Sequence, residues 1–287
     1  MSQAFGNPAT TLTLAPGLSW LSIVRLGLVQ AALGAIVVLT TSTLNRVMIV
    51  ELGLAAVIPG LLVGLHYGVQ ISRPVWGHKS DTGRSRTHWI LGGLALLAIA
   101  GTGAAATTLL FEQSFLAGIL AAILAYLLIG IGIGASGTSL LALIAMKTAV
   151  ERRAAAATIT WMLMISGIIF TSLVVGAQLD PYSHERLIAV TAATGVVAFG
   201  IGLLGVAGME KKPSVDRQEE RAATTSFRES LQDVLEDREA RLFTLLAGPG
   251  FQHLVDIAMD AGAALDGQSV RLVEYDDLLV LVEHHPR

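Results

Sequence analysis

Six long apolar runs, separated by short segments that carry most of the charge, constrain this chain more than any other feature. A helix needs about 20 apolar residues to cross about 30 Å of hydrocarbon, where unpaired backbone groups are too costly for irregular structure. The runs lie near Trp20–Leu44, Val57–Trp76, His88–Phe111, Phe115–Met146, Ala155–Leu179 and Leu187–Ala207. The fourth is long enough that its last turns are expected to emerge from the bilayer. Composition agrees, since 53% hydrophobic residues, 14% charged residues and a mean hydropathy of +0.65 exclude an ordinary soluble domain. Between Thr87 and Met146 the only Asp, Glu, Lys or Arg is Glu112, whereas most of the charge lies beyond Met209. That asymmetry divides a membrane part from an aqueous tail.

Basic residues set the expected orientation. Lys79, Arg84 and Arg86 lie between runs two and three, Lys147, Arg152 and Arg153 between four and five, and Lys211, Lys212 and Arg217 after six; the other loops offer Arg46 and Arg186. The positive-inside rule therefore predicts that both termini are cytoplasmic. Met1–Pro16 has no basic n-region and no cleavage pattern, so no removable signal peptide is expected. The absence of cysteine excludes disulfides and thiolate ligands, and a net charge of −3 gives no support to nucleic-acid binding. No G-x-S-x-G, H-E-x-x-H or Walker motif and no paired membrane carboxylates occur, so no enzyme and no protein-held metal is expected.

Polar groups at membrane depth are the candidate functional residues, because each must find a partner there. His66, Tyr67, Gln70 and Arg73 fall in the second run, and Arg25 and Gln30 in the first. An imidazole nitrogen of His66 is a candidate ligand for the magnesium of a chlorophyll, with a hydrogen bond to a neighbouring helix as the alternative; Arg25 and Arg73 may also be read as side chains that snorkel to headgroups. Gly132-x-Gly134-x-x-Gly137, preceded by Gly130, fits a dinucleotide fingerprint literally. Its place inside an apolar run points instead to close helix packing, and Gly167 and Gly176 invite the same reading.

The segment Gly77-His78-Lys79-Ser80-Asp81-Thr82-Gly83-Arg84-Ser85-Arg86 reads as a short basic loop, in which glycine allows a turn, Asp81 caps a helix or pairs with Arg152 or Arg153, and Arg84 and Arg86 hold the cytoplasmic side. Gly77, Asp81, Gly83, Arg84 and Arg86 resemble the G-x-x-x-D-x-x-G-R/K-x-R/K signature between helices 2 and 3 of major facilitator proteins. The run Leu39–Gly53, LTTSTLNRVMIVELG, and the run Leu65–Asp81, LHYGVQISRPVWGHKSD, resemble hallmarks of the PucC family, the light-harvesting assembly branch of that superfamily. The resemblance implies a bacterial inner (photosynthetic) membrane protein that helps assemble antenna complexes and handles or delivers bacteriochlorophyll. Bacteriochlorophyll would be cargo, not a tightly bound cofactor, and antenna polypeptides and membrane lipid the partners. Asn45, Arg46, Glu51, His66 and Arg73 are carried over as pigment- or partner-binding candidates, beside Tyr67 and Gln70 from the polar reading above.

The expected fold is thus an all-α membrane protein. A cytoplasmic N-terminus (1–19) precedes six transmembrane helices (20–208), equivalent to the N-terminal half of a major facilitator fold. A cytoplasmic linker (209–246) follows, with an amphipathic helix around Phe227–Leu235, and then an irregular soluble tail (247–287). Such proteins have twelve spans, so the chain reads either as a truncated or frameshifted product or as a half-length protein that forms homo-oligomers. A secondary transporter of a small solute is the alternative function, and it would need a coupling acid at the bilayer midplane.

Overall fold

The computed structural model describes residues 17–82, 85–209, 270–275 and 278–283, in two units divided at Thr224 and Thr225. The described part of the first unit is helical. α1 (Trp20–Val38) is capped by Ser19, whose hydroxyl accepts from the Ser22 amide at 3.2 Å, and it passes through a π turn at Leu39–Thr43 into α2 (Leu44–Val50). The hydroxyl-rich segment Thr40-Thr41-Ser42-Thr43 explains the change of period: Thr40 and Thr41 both return their hydroxyls to the Val37 carbonyl at 2.9 Å, competing with regular helix bonding. Gly53, with φ +64°, then turns the chain away from α2.

α3 (Val57–Val69), a 3-10 turn at Gln70–Ser72 and α4 (Arg73–Thr82) follow as one interrupted helical rod. Pro74 accounts for the interruption, because it lacks an amide hydrogen and its ring opposes the carbonyl four residues earlier. The remaining helices are α5 (Arg86–Gln113), α6 (Phe115–Lys147), α7 (Arg153–Gln178) and α8 (His184–Val206). Among the described residues, five helices are long and apolar enough on their own to cross a membrane: Trp20–Val50, Arg86–Gln113, Phe115–Lys147, Val150–Gln178 and His184–Val206. The expected second span is the interrupted rod, in which His66, Gln70, Arg73, His78 and Lys79 dilute an otherwise apolar segment.

The expected loop at Gly77–Arg86 is corrected: residues 77–82 form the last turns of α4 and Arg86 opens α5. Nothing from His78 to Thr82 breaks a helix, so α4 runs on beyond its apolar part. Gly83 and Arg84 lie outside the described residues.

α1 packs on α7 and α8, α5 on α6 and α8, and α3 on α6. Glycines set the closest approaches. A Cβ on Gly93 would meet the Ser136 amide at 2.6 Å, and one on Gly132 the Gly93 carbonyl at 2.8 Å, so α5 and α6 touch backbone to backbone. Gly130 approaches the His66 carbonyl of α3, Gly134 the Trp76 ring of α4, and Gly167 the Ala31 carbonyl of α1. Small residues thus do the work that the hydrophobic effect does in water, by letting helices come into van der Waals contact. Gly137 and Gly176 depart from the packing reading, because each faces open space.

The described part of the second unit is an antiparallel hairpin, β1 (Val270–Tyr275) with β2 (Leu278–Glu283), in register from Val270↔Glu283 to Tyr275↔Leu278. The tail is therefore not wholly irregular: alternating β-branched and leucine residues on both sides of Asp276-Asp277 favour strand pairing. The amphipathic helix expected at Phe227–Leu235 lies outside the described residues.

Candidate binding sites within the bundle

Both segments that carry the family resemblance coincide with the two places where helical period changes. At the first, the π turn leaves the Thr40 carbonyl open to a new partner, and the fully buried Tyr126 of α6 donates to it at 2.8 Å. A neighbouring helix thereby holds a bulge that would otherwise expose backbone to hydrocarbon. Asn45, half-buried just beyond, has its Oδ1 enclosed without a hydrogen-bond partner; Arg46 and Glu51 are exposed at the end of this span.

At the second, His66, Gln70, Arg73, Gly77 and Ser80 recur at three- and four-residue spacing along one side of the rod. His66 and Gln70 are buried, and the Gln70 amide lies 2.8 Å from Nε2 of His66. Arg73 donates to the Gln70 side-chain oxygen, continuing the ladder toward the basic end of the bundle. Its Nε is buried with no hydrogen-bond partner. Tyr67 leans on the His66 ring at 4.3 Å between centroids. The ladder binds the rod together across its break.

That geometry bears directly on the magnesium-ligand reading of His66. Its side chain is 0% exposed, Nε2 is taken up by Gln70, and Nδ1 is enclosed beside α6. A flat macrocycle does not reach either nitrogen, so the hydrogen-bonding alternative fits and the pigment-ligand one does not. Arg25 does not snorkel: its Nη2 donates to the Leu204 and Ala207 carbonyls at 2.6 and 2.7 Å, capping the end of α8. Arg86 is buried and donates to the Met146 sulfur of α6, which anchors the start of α5. Gly77 approaches Thr138 at ordinary contact distance. The Asp81 side chain, and so its expected latch to Arg152 or Arg153, lies outside the described residues; Arg152 itself stacks over Trp20 at 5.5 Å.

At the end opposite the basic one, a cluster joins residues that sequence reasoning did not bring together. His184, in the first turn of α8, places Nδ1 2.9 Å from the Thr108 hydroxyl and 3.0 Å from the Tyr182 hydroxyl, and Nε2 2.7 Å from the Glu112 carboxylate. Burial raises the Tyr182 phenol above its ordinary range, a Thr108 hydrogen bond opposes the shift, and the charges of Glu51 and Glu112 add to it. The one signal available was the isolation of Glu112 in an otherwise uncharged stretch.

Two cavities open at the surface of the bundle. One, of about 480 Å³, has a floor of Ala31, Ala32 and Ala35 and walls from α7 and α8, which hardly meet each other. Its Ser166 and Thr194 return their hydroxyls to their own helix backbone, leaving an apolar lining. The other, of about 430 Å³, lies at the basic end between Trp76 of α4, His88, Trp89 and Gly92 of α5, and Ile131 and Ala135 of α6.

The profile of the family described as "PUCC protein" matches residues 43–251, which include the second segment and the first from Thr43 onward. The chain belongs to the PUCC protein family. It is 51% identical over 227 residues to the bacteriochlorophyll synthase 44.5 kDa chain of Rhodobacter capsulatus, an alignment covering 79% of this chain and 53% of that protein. It is 32% identical to the protein PucC of Cereibacter sphaeroides, over 66% of this chain and 44% of that one. The chain therefore spans about half the length of the curated relatives it matches. Solved structures show the same fold: the peptide transporter POT in complex with sulfate (17% identity, TM-score 0.52, 88% of this chain and 52% of that one) and the xylose transporter XylE from E. coli in an inward-open conformation (16%, 0.50, 86% and 56%). The chain is a multi-pass membrane protein with the helical architecture of a major facilitator half.

Proposed function

We propose that this chain forms the N-terminal six-helix unit of a membrane assembly factor that handles bacteriochlorophyll and antenna polypeptides in a bacterial photosynthetic membrane. The observation that carries the reading is membership of the PUCC protein family, with relatives whose names refer to PucC and to bacteriochlorophyll. The distribution of acids supports it. In the described helical unit, carboxylates stand only at helix ends or in the short links between helices: Glu51 after α2, Asp81 in the last turn of α4, Glu112 at the end of α5, Glu151 and Asp180 on either side of α7, and Glu185 at the start of α8. A proton-coupled transporter of a small polar solute needs an acid at the bilayer midplane. Apolar cavities and an α7 whose apolar side chains are left uncovered by the other described helices suit a large apolar cargo better.

On this reading the chain carries no chemistry of its own. Arg46 and Glu51, exposed at the end of the first span, contact a partner polypeptide. Both termini face the cytoplasm, by the basic residues counted above. The test is to express the tagged chain in a photosynthetic bacterium, purify it in mild detergent, and record the absorption spectrum with the co-purifying polypeptides. Bacteriochlorophyll together with antenna subunits is the expected result. A folded, colourless protein without them overturns the reading.

A further inference from the structure

The cavity at the basic end combines features that the ladder on α3 and α4 lacks. His88 is exposed, and among the described residues its ring has no hydrogen-bond partner, whereas His66 is enclosed and engaged. Gly92, one turn further along α5, has nothing within 4 Å of where a Cβ would stand, so the surface beside the imidazole is open and flat. Aromatic faces flank it, with Trp76 and Trp89 5.9 Å apart between centroids. Trp76 is held in place on several sides: its indole N–H donates to Ser72 at 2.8 Å, its ring edge abuts Gly134 of α6, and Lys79 lies 5.4 Å over its face. At about 430 Å³ the cavity falls in the size range of ligand sites, and its lining is apolar apart from the imidazole and the indole N–H groups.

An imidazole that opens on an apolar, aromatic-walled cavity is the donor that a magnesium macrocycle needs, since such a metal takes one axial ligand from outside the ring. We propose that this cavity seats the macrocycle of bacteriochlorophyll, with His88 as the axial ligand of its magnesium. The inference rests on the pigment-handling reading above and names the site for it. Binding involves coordination of an imidazole nitrogen to a magnesium already held by the pigment, displacing whatever weak ligand it carries; no bond in the pigment is made or broken.

The test uses the purified full chain in lipid nanodiscs, titrated separately with bacteriochlorophyll and with magnesium-free bacteriopheophytin. Bound pigment is measured by absorption, and magnesium coordination by resonance Raman. The expected result is that bacteriochlorophyll binds about ten-fold or more tightly than bacteriopheophytin, and that His88→Phe removes that preference and the imidazole-ligated signature. His184→Gln, at the other end of the bundle, should leave both unchanged. Wild-type chain that binds the two pigments equally, or His88→Phe that keeps the coordination signature, overturns the inference while leaving pigment handling intact. Wild-type chain that binds neither pigment overturns both. The comparison of the two pigments needs no variant, so a folding defect in His88→Phe does not blunt it.

Discussion

α1 and α7 lie side by side and their spans have the same mean hydropathy, yet 72% of the first is buried inside the bundle and only 17% of the second. Hydropathy therefore says that a segment enters the membrane, not what it meets there. What separates them is partners: α1 packs on both α7 and α8, while α7 has α1 on one side and little else. The side chains agree, since Ile23, Leu26, Val29 and Ile36 of α1 are essentially inaccessible, whereas Met162, Ile169, Phe170 and Leu173 of α7 are more than half exposed. In lipid that exposure costs nothing, because acyl chains are as apolar as leucine. Among the described residues α7 and its cavity thus form an open face of the bundle, and α1 its axis.

Several substitutions would break or sharpen this contrast, each read by SDS titration of tryptophan fluorescence in mixed micelles. Gly167→Val should have the largest effect, about 3 kcal/mol of destabilisation, because its Cβ would stand 2.6 Å from the Ala31 carbonyl and force α7 off α1. Leu26→Ala, in the enclosed face of α1, should cost about 2 kcal/mol, at the low end for a core truncation. Tyr126→Phe should cost about 1 kcal/mol by leaving the Thr40 carbonyl of the π turn unpaired. Ile169→Ala, half exposed on α7, should change stability by less than about 0.5 kcal/mol. A loss at Ile169 equal to that at Leu26 would mean that α7 is covered by something the bundle alone does not supply.

The spans, the basic end and the glycine seam through Gly130, Gly132 and Gly134 were legible in the sequence, because length, hydropathy and small-residue spacing act locally. The break in the second span was not read, although Pro74 signals it; the apolar pattern on either side masked it. The extension of α4 through Asp81 was missed because a basic, polar segment after an apolar run resembles a loop, and a helix that leaves the bilayer looks the same in composition. His66 was correctly singled out as needing a partner. Its partner, Gln70, sits four residues away, and only the packing against α6 reveals that the ring is closed to a ligand. His88 was passed over as the first residue of an apolar run, and the His184 cluster needs α5, α8 and the loop between α7 and α8 to meet, which no local pattern encodes.

The chain has no cysteine, so single cysteines can be introduced one at a time without background. The most direct test of the contrast is the oxygen accessibility of a nitroxide side chain, read by electron paramagnetic resonance in lipid nanodiscs, attached at Leu26→Cys and Ile36→Cys on α1 and at Met162→Cys and Leu173→Cys on α7. The account predicts frequent collision with oxygen at the two α7 positions and little at the two α1 positions. Equal accessibility on both helices, or the order reversed between them, would contradict it.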